Sequence, residues 1–234
     1  MRALSNSDLL DLWEGGSRLH PLDRGLLALG AAHPEASYER LADWPLGRRN
    51  TALAELHCSA FGPALQAWIS CPQCREKLEF QMDGQSLIAR DPTVPNHPID
   101  VKGHSFRLPA SRDLALASRE TDPRLAAIRL LESCRVEENE SFEWSDQDLE
   151  EVGEMMARAD PMAEIRLSFR CPQCENEWDE TLDIAAFVWA EIEARAKRLL
   201  WEVHTLAAAY GWTESEILSL SAPRRARYLE LVSA

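Results

Sequence analysis

The chain has 234 residues, 45% hydrophobic and 27% charged, enough for one large domain or two small ones. A formal net charge of −14 and an isoelectric point near 4.9 repel nucleic acid unless a basic face is segregated. The opening residues hold no apolar secretion stretch and no run of about 18 apolar residues occurs, so neither a signal peptide nor a membrane span is expected.

In chain order, residues 1–69 read as a helical region. Leu22, Leu26 and Leu29 recur at helical spacing. Trp44-Pro45-Leu46-Gly47-Arg48-Arg49-Asn50 leads into a second apolar helix through Leu53, Leu56 and Phe61, which Gly62-Pro63 breaks. Residues 64–69 are expected to add one or two apolar turns. Residues 70–90 hold Cys71-Pro72-Gln73-Cys74, after which Leu78, Phe80 and Met82 alternate with polar neighbours, a strand pattern.

Residues 91–160 read as an inserted helical module. Pro92, Pro95 and Pro98 make 91–98 a loop or linker. Phe106-Arg107-Leu108-Pro109 predicts a short strand, and Ser111 predicts the N-cap of a helix. Asp122-Pro123 interrupts it, and Leu125, Ile128, Leu131 and Cys134 continue a second one. Ser145 opens an acidic helix to about residue 159, with Leu149, Val152 and Met156 apolar. From residue 137 to 154 there are nine carboxylates and no Lys or Arg. Such a run is either a solvated face or a docking surface for a basic partner.

Residues 161–183 repeat the earlier pattern: Ile165, Leu167 and Phe169 alternate ahead of Cys171-Pro172-Gln173-Cys174. The remaining residues, 184–234, are again helical. Trp189, Ile192, Ala196, Leu199, Val203, Leu206 and Tyr210 follow alternating steps of three and four, a coiled-coil-like stripe that Val188, Leu200 and Ala207 widen. This face either packs on the protein's own core or meets a partner helix. Gly211 stops the helix, and Thr213-Glu214-Ser215-Glu216 forms a capping box. A last helix carries Arg224, Arg225, Arg227, Tyr228, Leu229 and Leu231.

The two Cys-Pro-Gln-Cys tetrapeptides are the most specific motif. Each offers two thiols at knuckle spacing, and a structural zinc site takes four ligands in a tetrahedron. Cys71, Cys74, Cys171 and Cys174 therefore make one complete site, although 96 residues separate Cys74 from Cys171. The fold class expected is α+β: mainly helical, with a small antiparallel zinc-ribbon sheet closed by both knuckles. Iron fits the same all-sulfur geometry. Redox-active dithiols are the other reading, but strand-like residues follow each pair and no βαβ unit surrounds them. Thiols in metal spacing fit a reducing cytoplasm. Cys58 and Cys134 read as small buried hydrophobes.

No catalytic constellation is present. There is no His-Glu-x-x-His, no phosphate-binding glycine loop and no Gly-x-Ser-x-Gly. His20, His33, His57, His97 and His104 are scattered and read as surface or capping residues, and His204 as partly buried on the long helix. Four thiolates leave zinc no open position, so the ion is structural and the protein is not expected to be an enzyme.

The C-terminal segment carries a resemblance. Phe187-Val188-Trp189-Ala190-Glu191-Ile192, Arg198-Leu199-Leu200-Trp201-Glu202-Val203, the turn Tyr210-Gly211-Trp212, the pair Ile217-Leu218 and the helix Arg224-Arg225-Ala226-Arg227-Tyr228-Leu229 resemble the baseplate hub assembly chaperone family of T-even-type phages. They are closer still to its relatives in bacterial contractile injection systems. The knuckles, Asp23-Arg24-Gly25-Leu26-Leu27 and Leu46-Gly47-Arg48-Arg49 also resemble those relatives. The resemblance implies a non-enzymatic factor that helps a baseplate, hub or spike protein of a contractile tail-like particle assemble. Trp189, Trp201, Tyr210, Trp212, Arg224 and Arg225 are the expected partner-binding residues. The alternative is a zinc-ribbon regulator that reads nucleic acid through its C-terminal helices. Three arginines in a net-neutral segment make nucleic acid a poor partner.

Overall fold

The structure is a computed structural model that describes residues 1–89, 98–136 and 143–232. Short polar caps start the first helices. Ser5 opens α1 (Asn6–Gly16), its hydroxyl accepting from the Asp8 N–H while the Asp8 carboxylate accepts from the Ser5 N–H. His20 Nδ1 accepts from Leu22 N–H ahead of α2 (Pro21–Ala32), and Ser37 caps α3 (Tyr38–Ala42). Next comes α4 (Leu46–Phe61), which has no side-chain cap from its own N-cap residue, Pro45.

Gly62, at φ +100°, turns the chain into β1 (Ala64–Ser70), which pairs antiparallel with β2 (Lys77–Asp83) before the short helix α5 (Gly84–Ile88). Residues 64–69 are thus a strand and not helical turns. Leu65, Ala67 and Ile69 alternate with Gln66 and Trp68, and period two places the first set inward.

The small hairpin of β3 (Ile99–Val101) and β4 (His104–Phe106) precedes α6 (Ser111–Ala117), α7 (Pro123–Cys134) and α8 (Asp146–Ala159). The strand lies just ahead of its expected position, because Pro109 O instead accepts from Leu46 N–H. Ala110 is the N-cap of α6, one residue before Ser111. The Asp113 carboxylate takes the Ala110 N–H at 2.8 Å and is held by Arg107 at 2.6 and 2.8 Å. Within the expected 91–98 linker, residues 91–97 lie outside the described residues, as do His97 and the first part of the acidic run, Glu137, Glu138 and Glu140.

The chain closes with β5 (Ile165–Arg170), β6 (Glu177–Leu182), the long α9 (Ile184–Tyr210), α10 (Glu214–Ser219) and α11 (Ala222–Val232). The architecture is α+β, with small two-stranded antiparallel sheets. The knuckle hairpins β1–β2 and β5–β6 are separate sheets, so the single ribbon sheet expected from sequence is divided in two.

The main core joins α1, α2, α4 and α9 through Leu9, Leu26, Leu53, Leu56, Val188 and Ile192. Leu65 and Ile165, the first inward residues of β1 and β5, complete it and seat both hairpins on the helices. A smaller core of Val101, Phe106, Leu131, Cys134, Val152 and Met156 holds α7 and α8 against the third hairpin. Cys134 is fully buried, as expected, while Cys58 is only half-buried. His57 is buried between Phe61 and Phe187 and not at the surface, whereas His204 is exposed and not partly buried. Among the described residues, no helix is long and apolar enough to cross a membrane.

Candidate metal centre

The two knuckles are built alike. Cys71 N–H donates to Glu76 O and Arg75 N–H to Cys71 O, both at 2.9 Å. Cys171 N–H donates to Asn176 O and Glu175 N–H to Cys171 O, again at 2.9 Å. The residue after each second cysteine takes the left-handed conformation, Arg75 at φ 63° and Glu175 at φ 58°. That turn wraps the backbone around the first sulfur. The repeat runs further than the motif: Asp83 caps α5 through Gln85 N–H, and Asp183 caps α9 through the N–H groups of Ala185 and Ala186. The unit used twice is hairpin, knuckle and capped helix.

Packing brings the tips together. Phe80 of β2 meets Phe169 of β5 edge-on at 5.0 Å between ring centroids, and Phe169 stacks on Trp178 at 5.6 Å. The four sulfurs consequently lie within 4.8 Å of one another. Two close separations cross between knuckles, Cys71 to Cys174 at 3.6 Å and Cys74 to Cys171 at 3.5 Å. A sulfur tetrahedron with metal–sulfur bonds of about 2.3 Å has edges of about 3.8 Å, so the donor set fits an ion. None of the six cysteines is in a disulfide. Cys71 and Cys171 are buried, Cys174 is half-buried and Cys74 is exposed.

Electrostatics point the same way. Burial pushes the Cys71 thiol up, but the amides of Cys74 and Gln73 and the neighbouring thiols outweigh it and bring it down to about 7. For Cys74 the Glu76 amide pulls downward, while burial and hydrogen bonds with the thiols of Cys174, Cys171 and Cys71 carry it up to about 12. Cys174 is raised as well: the Asn176 amide and Cys74 pull it down, but burial and the thiols of Cys71 and Cys171 outweigh them. The raised Cys74 and Cys174 thiols resist ionisation beside their neighbours, and a cation among the sulfurs would remove that resistance.

The structure separates the expected partner-binding residues. Trp189 is only 6% exposed. Its ring fills the space over Gly16, where a Cβ would lie 2.3 Å away, and Arg24 stacks on it at 5.0 Å. Arg225 is 1% exposed, its guanidinium donating to Glu202 at 2.8 Å and to Leu220 O at 2.5 Å. Both are interior residues that hold the fold and offer little surface to a partner. Trp201, by contrast, is 57% exposed. Tyr210 is exposed and Trp212 half-buried; they stack at 4.7 Å, with Tyr228 edge-on to both. Arg224 is exposed.

Sequence reasoning missed two polar nodes. Glu202 lies at helical spacing between Leu199 and Leu206 on the buried face, and that position was the available signal. The other node gathers on the start of α4: Asp160 accepts from Gly47 N–H at 2.8 Å, Asn50 donates to Met162 O at 2.8 Å, and buried Arg49 donates to Asn50 and Ser111. Asp160 is thereby the cap that α4 lacks locally. Trp68, 69% exposed on β1, was also not singled out. Fold and site together define a mainly helical α+β protein with a four-cysteine centre able to hold a metal ion. No protein-family profile, curated protein or solved structure matches the chain.

Proposed function

We propose that the chain is a non-enzymatic, cytoplasmic assembly chaperone or minor component for the baseplate or hub of a contractile tail-like injection system. Its client is a baseplate, hub or spike protein. The four cysteines hold a structural zinc ion in a ribbon-like site that ties residues 71–74 to residues 171–174. The observation that carries the reading is the exposed aromatic surface of α9. Trp201 and Leu200 stand out from a helix whose opposite side is fully buried. Tryptophan and tyrosine at a surface supply much of the energy of protein interfaces. The same helix and the Tyr210-Gly211-Trp212 turn carry the resemblance to the assembly chaperone family. The nucleic-acid alternative has less support, because Arg225 is committed to Glu202 inside the protein.

Affinity capture of the tagged protein from its own cells, with mass spectrometry, tests the assignment. Hub, spike, baseplate or tail proteins are expected, and Trp201→Ala reduces their recovery while leaving the melting temperature unchanged. Recovery of nucleic acid or polymerase subunits without tail proteins rules it out. Elemental analysis of the purified protein is expected to return one zinc per chain.

A further inference from the structure

The cysteine centre is asymmetric, although its two knuckles share one backbone form. Cys71 and Cys171 are buried and Cys174 is half-buried, but Cys74 is exposed. The flanks differ as well. Residues 70–77 are net positive by one charge, through Arg75, Glu76 and Lys77. Residues 170–177 are net negative by one, through Arg170, Glu175 and Glu177. Arg75 and Glu175 hold the same left-handed position of their turns, so the two knuckles place opposite charges after their second cysteines. Arg170 reaches both glutamates of its own knuckle, at 3.6 and 3.8 Å.

Oxidants act on thiolates that are accessible and set among positive charge. Ligation to a cation keeps a sulfur in the thiolate form. Hydrogen peroxide is neutral, so the net charge of −14 does not repel it. Exposure and charge both make Cys74 the entry point. A second thiol is close: Cys74 Sγ lies 3.5 Å from Cys171 Sγ on the other knuckle, and Cys71 Sγ lies 3.6 Å from Cys174 Sγ. Each of these cross pairs joins a buried sulfur to a more accessible one.

We propose that hydrogen peroxide oxidises the centre through Cys74, that Cys171 resolves it, and that disulfides across the two hairpins replace the bound ion. This rests on the reading of the four cysteines as one zinc site and adds its regulation. It differs from a redox couple inside each Cys-Pro-Gln-Cys pair. The Cys74 sulfur attacks one peroxide oxygen, the O–O bond breaks, and hydroxide leaves and takes a proton from solvent. Cys74 is then a sulfenic acid, while the other three cysteines still ligate and keep the hairpins apposed. The Cys171 sulfur attacks the Cys74 sulfur; the S–S bond forms, the S–O bond breaks, and a second hydroxide leaves and is protonated. The two sulfurs have lost two electrons and the peroxide has gained them. A second peroxide joins Cys71 to Cys174 in the same way, and a dithiol reductant reverses both bonds.

The test treats the full-length protein, as purified with its zinc, with hydrogen peroxide. One sample contains dimedone, which traps sulfenic acids. Remaining thiols are alkylated and the peptides are mapped by mass spectrometry without reduction. The trap is expected on Cys74 before any other cysteine. Without the trap, Cys74–Cys171 and Cys71–Cys174 peptides are expected, with loss of the zinc to a chromogenic indicator and with buried Cys134 unmodified. The oxidised, metal-free protein is expected to keep the amide protection of β1–β2 and β5–β6 that a chelator removes from the reduced protein. Dithiothreitol with added zinc restores the starting state. First trapping on Cys174, bonds within the knuckles, or full retention of zinc overturns the proposal. Absence of zinc from the purified protein overturns the metal reading and this inference with it. Zinc bound at the start, with bonds inside the knuckles after oxidation, overturns this inference alone.

Discussion

Single residues decide where helices begin in this protein. Pro45 has no side chain to cap α4, and the buried carboxylate of Asp160, from the far end of α8, takes that place. It satisfies an otherwise orphaned N–H and sets negative charge against the helix's positive end. Gly47 is required there because a Cβ would lie 1.7 Å from Asp160 Oδ1. Gly47→Ala is therefore expected to destabilise by about 2 kcal/mol, through loss of the cap and forced displacement of Asp160. Gly153→Ala, with open space around it, is expected to stabilise by up to about 1 kcal/mol through helix propensity. Denaturant unfolding of both variants reads the contrast; equal effects would show that the close approach at Gly47 has no energetic weight. Neither glycine's role is visible in sequence, since the atom that defines it belongs to a distant residue or is absent altogether.

Among the elements, α9 connects most of the fold. Its N-terminal half packs Val188, Trp189 and Ile192 into the main core, and its C-terminal half holds α11 through Glu202 and Arg225. Removing Arg225 strips one of the two arginines from the buried Glu202, which keeps the more exposed Arg198 at 3.2 Å. Arg225→Ala is expected to cost about 2–3 kcal/mol, limited by local release of α10 and α11 from α9. Hydrogen exchange over residues 214–232 and the near-ultraviolet signal of Tyr210, Trp212 and Tyr228 report it. The double change Glu202→Leu with Arg225→Met is expected to recover most of the loss. Unaltered exchange in Arg225→Ala would mean the aromatic cluster alone docks α11. The stripe on α9 was legible because burial on one side of a helix imposes a 3.6-residue period. The strand over residues 64–69 was misread because a six-residue apolar stretch satisfies two periods at once.

At the scale of the whole molecule, the cysteine centre closes a loop of 96 intervening residues onto itself. An ion bound there couples the two hairpins in one folding unit, with a binding energy on the order of 10 kcal/mol available to the folded state. Cys171→Ser, or a chelator acting on the wild type, is expected to lower the melting temperature and to release amide protection in β1–β2 as well as β5–β6. Loss confined to β5–β6 would show that the hairpins hold independently of the shared site. The sequence by itself determined which four cysteines cluster, the helical character of both flanks and the doubled motif, because these depend on spacing within short stretches. Only the tertiary structure decided that the hairpins are separate sheets, that Trp189 and Arg225 lie inside while Trp201 stands out, and that Asp160 caps a helix more than a hundred residues earlier. Each of those depends on which distant segments share space, and local periodicity carries no information about that.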